Sequence, residues 1–523
     1  MLRLSLAECA AVLDAELRGA AGAEAGAALE LVGVGIDTRT LESGMLYVAI
    51  RGERHDGHDF VAAAERAGAR AVLVERALET TLPQLLVDDT RIALGALARH
   101  WRSLHRLPVV AITGSNGKTT VKELLTGILA GLGPVLATRG NLNNELGVPL
   151  TLFRLGPEHR HAVIEMGASA AGEIAYLASL ARPDVGVVTN VGPAHLEGFG
   201  SLPGVARAKS ELFGALGEEG WAVLNADDAF VDVFRDAAGH RRRCEFGHAR
   251  GADVRGIPPD ERSDEASGEK AAGRGGAEGG AAGTNAGRRA ANGREDGAPA
   301  LTVEVNGERL RVPFPLPGAH NRANALAAIA AARCLGVAEP TIVRGLERAA
   351  AVPGRLVTLP ARAGATLIDD SYNANPASTR AALAVLAARA GRRHLVLGDM
   401  GELGADAASL HAAIGEAAHM AGLDGLWTLG PLAAEAGHAW ERCVPDASGG
   451  RFADVPALLA ALERHLGPDA TLLVKGSRSA RMERVVEALA APRAPAEARD
   501  GAVPDPRPQT SDGTRSGAPE SHS

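Results

Sequence analysis

The stretch Val109-Val110-Ala111-Ile112-Thr113-Gly114-Ser115-Asn116-Gly117-Lys118-Thr119-Thr120 carries an apolar run into a glycine loop, a lysine and two hydroxyls. A strand that feeds such a loop and then a helix builds a cradle for a triphosphate. Backbone N–H groups from Gly114 to Thr119 can point at phosphate oxygens, and Lys118 adds a point charge. The Thr119 hydroxyl can reach Mg2+, and the helix opening near Thr120 turns its positive dipole end to the anion. The spacing departs from the general phosphate-loop pattern, because Ile112 stands where that pattern has its first glycine.

Outward from this loop the chain alternates strand and helix patterns. Apolar runs at Pro108–Thr113, His161–Met166, Val185–Asn190 and Ala222–Asn225 read as strands separated by helical segments. That is the rhythm of a parallel sheet, and it defines a central unit over residues 106–350. Residues 1–105 form a first unit, with strands expected at Met45–Ile50 and Ala71–Val74 and a helix at Phe60–Ala67 closed by Gly68. A third unit, 351–491, restarts the alternation with strands at Ala365–Asp369, His394–Leu397, Gly425–Leu429 and Thr471–Val474. It lacks a Gly-x-Gly-x-x-Gly after a strand, which argues against a dinucleotide site. Between about 254 and 298 the side chains are nearly all small or charged. Such a segment cannot offset its ordering entropy, so a disordered insertion is expected there, and a disordered tail at 492–523.

The 523 residues are too many for one core, and a 46% hydrophobic fraction supports globular folding over most of them. A net charge of −8 argues against nucleic acid as a partner, and Arg241-Arg242-Arg243 reads as a solvated surface. Cys9, Cys244, Cys334 and Cys443 are scattered without a CxxC pair, as expected of reduced thiols. Acidic residues interrupt Met1–Leu17, which reads as an amphipathic helix rather than a signal peptide. With no long apolar stretch the chain is expected in the cytoplasm, without membrane insertion.

Catalytic groups of an open parallel sheet gather at the carboxyl ends of its strands. Glu165 closes one strand, His195 follows another in Ala194-His195-Leu196-Glu197, and Lys209 lies on a predicted helix in Ala208-Lys209-Ser210-Glu211. Singly these read equally as a strand-end cap, a loop residue and a solvated face. Beside a phosphate loop they make a Mg2+ site with hard ligands. Asn321 and Asn324 share one helix face and suit a purine edge or ribose, although Asn321 alone serves equally as a helix cap. Asp369-Asp370-Ser371-Tyr372-Asn373-Ala374-Asn375-Pro376 is a polar cluster too dense for a simple turn.

With these motifs in order, the chain resembles the Mur ligases, ATP-dependent amide-forming enzymes of peptidoglycan synthesis. The resemblance spans about residues 30–490, excluding the insertion. Besides the loop, its carriers are Asn141-Leu142-Asn143-Asn144, Ile164-Glu165-Met166-Gly167, the His195 and Lys209 segments, Pro317–Asn321, Val352-Pro353-Gly354-Arg355 and Leu473-Val474-Lys475-Gly476-Ser477-Arg478. It implies an α/β fold of three domains: a UDP-binding N-terminal domain, a central phosphate-loop ATPase and a C-terminal Rossmann-like ligase domain. The run from Asp369 to Pro376 points to the member that joins D-alanyl-D-alanine to UDP-MurNAc-tripeptide through an acyl phosphate. ATP and two Mg2+ ions are implied, with Lys118 on phosphate, Thr119 and Glu165 on one metal and His195 on the second. Lys209 matches the family's carbamylated lysine; a bare ammonium, of reference pKa about 10.4, would be repelled by Mg2+. Asn321, Asn324 and Asp370 would meet adenine or ribose, and Arg355 the phosphates. Thr38, Arg39, Asp56 and His58 match the uridine-site region, Thr38 standing where a serine is usual. Asn141, Asn373, Asn375, Lys475 and Ser477 are expected on the substrates. A monomer is expected. Rival readings are a sibling that adds the third peptide residue or acts on folate, a nucleotide switch, and a non-catalytic scaffold. No Asp-Asn-Pro-Arg or Asn-Lys-x-Asp segment supports the first two.

Overall fold

Every residue of Val109–Thr113 is buried, which a strand covered by helices on both faces requires. In the computed structural model, which describes residues 3–19, 28–193, 196–257 and 300–491, this strand lies inside a nine-stranded sheet. The order across it is Glu308–Pro313, Ala300–Val305, Val254–Gly256, Arg242–Gly247, Trp221–Asn225, Val185–Val188, Val109–Thr113, His161–Glu165 and Val135–Ala137. Pairings from Val254–Gly256 to Val135–Ala137 are parallel, and the last two strands add an antiparallel hairpin.

Pleating divides the strand between two cores. Val109 and Ala111 pack with Ile174, Leu177 and Leu212 on one face. Val110 and Ile112 pack with Val121, Leu125 and the Ala325–Ala332 run on the other. After Val109–Thr113 the chain first fills one side of the sheet and then crosses to Val185–Val188 on the other. The crevice of this reversal opens above the glycine loop, where an open α/β sheet binds its ligand.

The first unit holds a five-stranded sheet in the order Glu16–Arg18, Gln84–Leu86, Ala71–Val74, Leu46–Val48, Val34–Gly35. Its helix Thr90–Ser103 starts where the Asp89 carboxylate accepts from the Arg91 and Ile92 N–H groups. That helix also joins the units: Trp101 Nε1 donates to the Leu155 carbonyl at 3.2 Å and Arg102 Nε to that of Ala181 at 2.8 Å. The third unit is a six-stranded sheet in the order Val357–Pro360, Thr366–Asp370, Ala470–Lys475, Arg392–Gly398, Gly425–Leu429, Ser448–Phe452. Only its first pairing is antiparallel.

Two expectations are corrected. Met1–Leu17 is no continuous helix: the helix is Leu6–Leu13, and Asp14 ends it in the left-handed region. Leu4–Ser5 before it and Glu16–Arg18 after it pair with Glu30–Leu31 and Gln84–Leu86. The expected insertion does not begin at 254 either, because Val254–Gly256 is a paired strand between two neighbours. Val254 and Ile257 are the buried anchors that composition averaging conceals. Residues 258–299, the tail 492–523 and His195 lie outside the described residues.

Candidate active site

The loop after Val109–Thr113 is fastened by the end of the neighbouring strand. Asn116 N–H donates to Asn190 Oδ1 at 3.0 Å, and its carbonyl accepts from Thr189 Oγ1 at 2.6 Å and Asn190 Nδ2 at 3.0 Å. Ser115 N–H donates to the Asn190 carbonyl at 2.9 Å. The N–H groups of Ser115 and Asn116 are therefore engaged within the protein. The donors left for an anion include those of the first turn of Lys118–Leu129. Gly114 (φ 144°) and Gly117 (φ 83°) have no substitute: an added Cβ would fall 1.9 Å from Thr189 Oγ1 and 2.2 Å from Asn324 Oδ1. Lys118 Nζ donates to the Gly114 carbonyl at 2.6 Å, and burial pushes its amine below the ordinary range against the pull of Glu165. Thr189 and Asn190, which sequence reading gave no role, were marked only by their place at a strand's carboxyl end.

Glu165 closes His161–Glu165 almost fully buried. Its Oε1 accepts from Asn143 Nδ2 at 2.8 Å, and its N–H donates to Thr138 Oγ1 at 2.9 Å. Its Oε2 is buried with no hydrogen-bond partner. An orphaned carboxylate oxygen facing a phosphate cradle is what a divalent cation would satisfy. Thr119 Oγ1, beside it in the cleft, accepts from Arg355 Nη2 at 3.0 Å. Lys209, on Leu202–Gly214, has 1% of its surface exposed. Its Nζ lies 3.5 Å from the Ala168 carbonyl and 5.2 Å from the Phe199 ring centroid. Among the described residues no carboxylate reaches salt-bridge distance of it. Burial, and then the charge of Lys118, push this amine down to about 7.

The opposite wall comes from Ala319–Cys334 and the third unit. Asn321 is not the helix cap, which is Gly318. Its Nδ2 donates to the Pro317 carbonyl at 2.7 Å, and Asn324 lies one turn on with its amide 3.4 Å away. Lys475 Nζ donates to Asp370 Oδ2 at 2.5 Å and to the Asn373 carbonyl at 2.9 Å. Burial raises the Asp370 carboxyl, with Lys475 opposing. Tyr372 is a further residue that sequence reading left without a role: Arg355 stacks on its ring at 4.4 Å and Arg478 at 5.9 Å.

These walls enclose a cleft of about 710 Å³. Ser115, Asn116, Gly117, Lys118, Thr119, Thr120, Asn141, Glu165, Asn321, Asn324, Arg355, Asp370, Asn373, Asn375 and Lys475 line it. Gly114 lies just beneath the loop, and Lys209 stands behind Ala168, which does line the cleft. Ser477 turns instead to the Asp399 carbonyl, at 2.6 Å. The first-unit residues lie apart from this lining. The Asp37 carboxylate accepts from Arg39 Nη2 at 2.6 Å, and Thr38 sits between them. Both nitrogens of the buried His58 ring are engaged, Nδ1 with Asp56 Oδ1 at 2.5 Å and Nε2 accepting from Glu75 N–H at 2.8 Å.

Comparison with known proteins places this geometry. Models of the Mur ligase family match three segments: the catalytic domain at residues 30–102, the middle domain at 112–332 and the glutamate ligase domain at 354–478. The chain is 42% identical to the UDP-N-acetylmuramoyl-tripeptide–D-alanyl-D-alanine ligase of Escherichia coli (strain K12), over 94% of this chain and 99% of that one. The enzyme of the same name from Haemophilus influenzae is 34% identical over the same shares. Crystal structure I of MurF from Acinetobacter baumannii superposes with a TM-score of 0.79 at 33% identity, covering 93% of this chain and 99% of that one. MurF ligase from Thermotoga maritima, solved in complex with ADP, gives a TM-score of 0.72 at 28% identity over 87% and 96%.

Proposed function

The chain belongs to the Mur ligase family, and from that premise we propose that it joins D-alanyl-D-alanine to UDP-MurNAc-tripeptide with ATP. The observation that carries the reading is one cleft in which the central phosphate loop faces the strand ends of the third unit, Asp370 and Lys475 included. Full-length similarity to enzymes of that name supports the choice of amine over a sibling's.

The γ-phosphoryl group of ATP passes to the terminal carboxylate of the tripeptide, leaving ADP and an acyl phosphate. The amine of D-alanyl-D-alanine attacks the acyl carbon, and the tetrahedral adduct expels phosphate as the amine gives up a proton. Phosphoryl transfer needs positioning and charge neutralisation above all. Lys118 supplies both by exchanging the Gly114 carbonyl for a phosphate oxygen. Arg355, held over the Tyr372 ring, would bring a second positive charge. Asn321 and Asn324 line the same cleft and would offer their amides to adenine or ribose. Glu165, with its unpartnered oxygen, and Thr119 would hold Mg2+, which neutralises phosphate charge when bound. Lys209 fits a carbamate: a buried amine brought down to about 7 is about half neutral near neutral pH and can add CO2, releasing a proton and leaving an anion where a cation would be unwelcome. The working unit is taken as a monomer, and the UDP-linked substrate and ATP suit the cytoplasm. No helix among the described residues is long and apolar enough to cross a membrane.

The test is phosphate release by the purified protein given ATP, Mg2+ and UDP-MurNAc-tripeptide, with and without D-alanyl-D-alanine. Release that requires both substrates, with the UDP-pentapeptide seen by mass spectrometry, is expected. Release driven by another amine would move the chain to a sibling activity.

A further inference from the structure

The helix Pro376–Ala387 of the third unit begins at Asn375, whose side chain and backbone close a capping box with Ser378. Asn375 Oδ1 accepts from Ser378 N–H at 2.8 Å, and its own N–H donates to Ser378 Oγ at 3.0 Å. That duty fixes which way the amide points, because only the oxygen can accept from the helix. The nitrogen faces the other way, and Nδ2 donates to Asn116 Oδ1 of the phosphate loop at 2.8 Å. Asn116 is equally committed: its peptide is tied on both sides to Thr189 and Asn190. Serine, aspartate and asparagine cap helices about equally well. Asparagine alone among them also carries an N–H donor, and here that donor bridges 259 residues of sequence to another unit. Arg355 Nη2 to Thr119 Oγ1, at 3.0 Å, crosses the same interface, but both groups face the phosphates and must rearrange when ATP arrives.

Resting on the ligase reading above, we propose that the Asn116–Asn375 pair is a positioning latch, which holds the third unit on the phosphate loop so that the amine site is assembled over the acyl phosphate before water reaches it. Asn375 then acts through the loop and the helix and not by contact with the amine substrate. A closed site protects a hydrolysable intermediate, and a bond of this kind carries roughly a tenfold effect when broken.

The experiment measures phosphate released and amide formed in the same reaction for the wild type, Asn375→Ser, Asn116→Ala and the double variant. Asn375→Ser keeps a helix cap and loses the donor. It is expected to lower the turnover of amide formation about tenfold, to raise the phosphate released per amide, and to leave the KM for ATP near that of the wild type. In the double variant the loss should match that of Asn116→Ala alone, because one bond is removed twice. Wild-type turnover and coupling in Asn375→Ser, or losses that multiply in the double variant, would overturn the latch. Should Asn375→Ser unfold, as a thermal melt would show, Asn116→Ala decides alone, since it leaves the cap untouched: normal coupling in it sinks the proposal. Product formation by the wild type in the same assay tests the ligase reading separately.

Discussion

A lysine as buried as Lys209, with an oxygen acceptor only at 3.5 Å and no carboxylate at ion-pair distance among the described residues, is badly placed as a cation. Its amine, brought down to about 7, is half neutral near neutral pH, whereas an ordinary lysine is almost wholly charged. Lys209→Ala is expected to lower ligation by about a hundredfold or more, the scale on which a charged partner of a reaction is lost. Enzyme stripped of CO2 should lose turnover and recover it when CO2 is restored; at equal dissolved CO2 the recovery should be faster at pH 8 than at pH 6, because the reactive free amine grows as pH rises through about 7. Recovery independent of CO2 would count against the carbamate. His394 shows the same physics with no reaction attached. Both its ring nitrogens are buried without partners, and burial, then the neighbouring His465, hold the ring's pKa down at about 4. Asp424 and Asp469 oppose the shift, and Arg392 adds to it. An unfolded histidine titrates near 6.5, so the native state prefers the neutral ring. That stability is complete above pH 6.5 and is lost as pH falls towards about 4, amounting to about 3 kcal/mol in full. Melts from pH 7 down to 4.5 should show a steeper decline in the wild type than in His394→Phe; equal slopes would refute it.

The phosphate loop works because two neighbouring elements crowd it. Gly117→Ala places a methyl group against the Asn324 amide at a positive φ, so it should lower ATP affinity by about a hundredfold while the melting temperature moves little; tight ATP binding by calorimetry would contradict this. At this scale much of the fold was legible. Ala71–Val74 and Gly425–Leu429 form strands over the residues expected, since short β-branched and apolar runs bounded by turns leave few alternatives. Glu165 was legible as a strand end with a charge on it. What escaped was contact across sequence. Asn190 holds Asn116 from 74 residues away, and nothing in either local pattern records that bond. Nor does local pattern reveal that Asp14 turns left-handed, which cuts the first helix short.

Among the described residues single hydrogen bonds such as Trp101 to Leu155 and Asn375 to Asn116 link the expected units, and nothing in composition shows how they touch. The same limit applies to the long segment of small and charged residues. Averaged over a window, 254–298 reads as one insertion, yet Val254 pairs with Val305 and Arg255 with Glu304 inside the central sheet. A deletion of residues 260–297 keeps those pairings, and with them the parallel neighbour Arg242–Gly247 that leads to Phe246 in the cleft. Its turnover is expected within about twofold of the wild type, and its melting temperature within a few degrees. A deletion of 254–298 also removes the buried Val254 and Ile257, each contributing about 1.5–3 kcal/mol of apolar burial, and leaves the Ala300–Val305 hairpin without its partner strand. That variant should melt well below the shorter deletion and lose turnover with it. If the two deletions behave alike, the strand at 254–256 contributes nothing to the sheet that carries the phosphate loop.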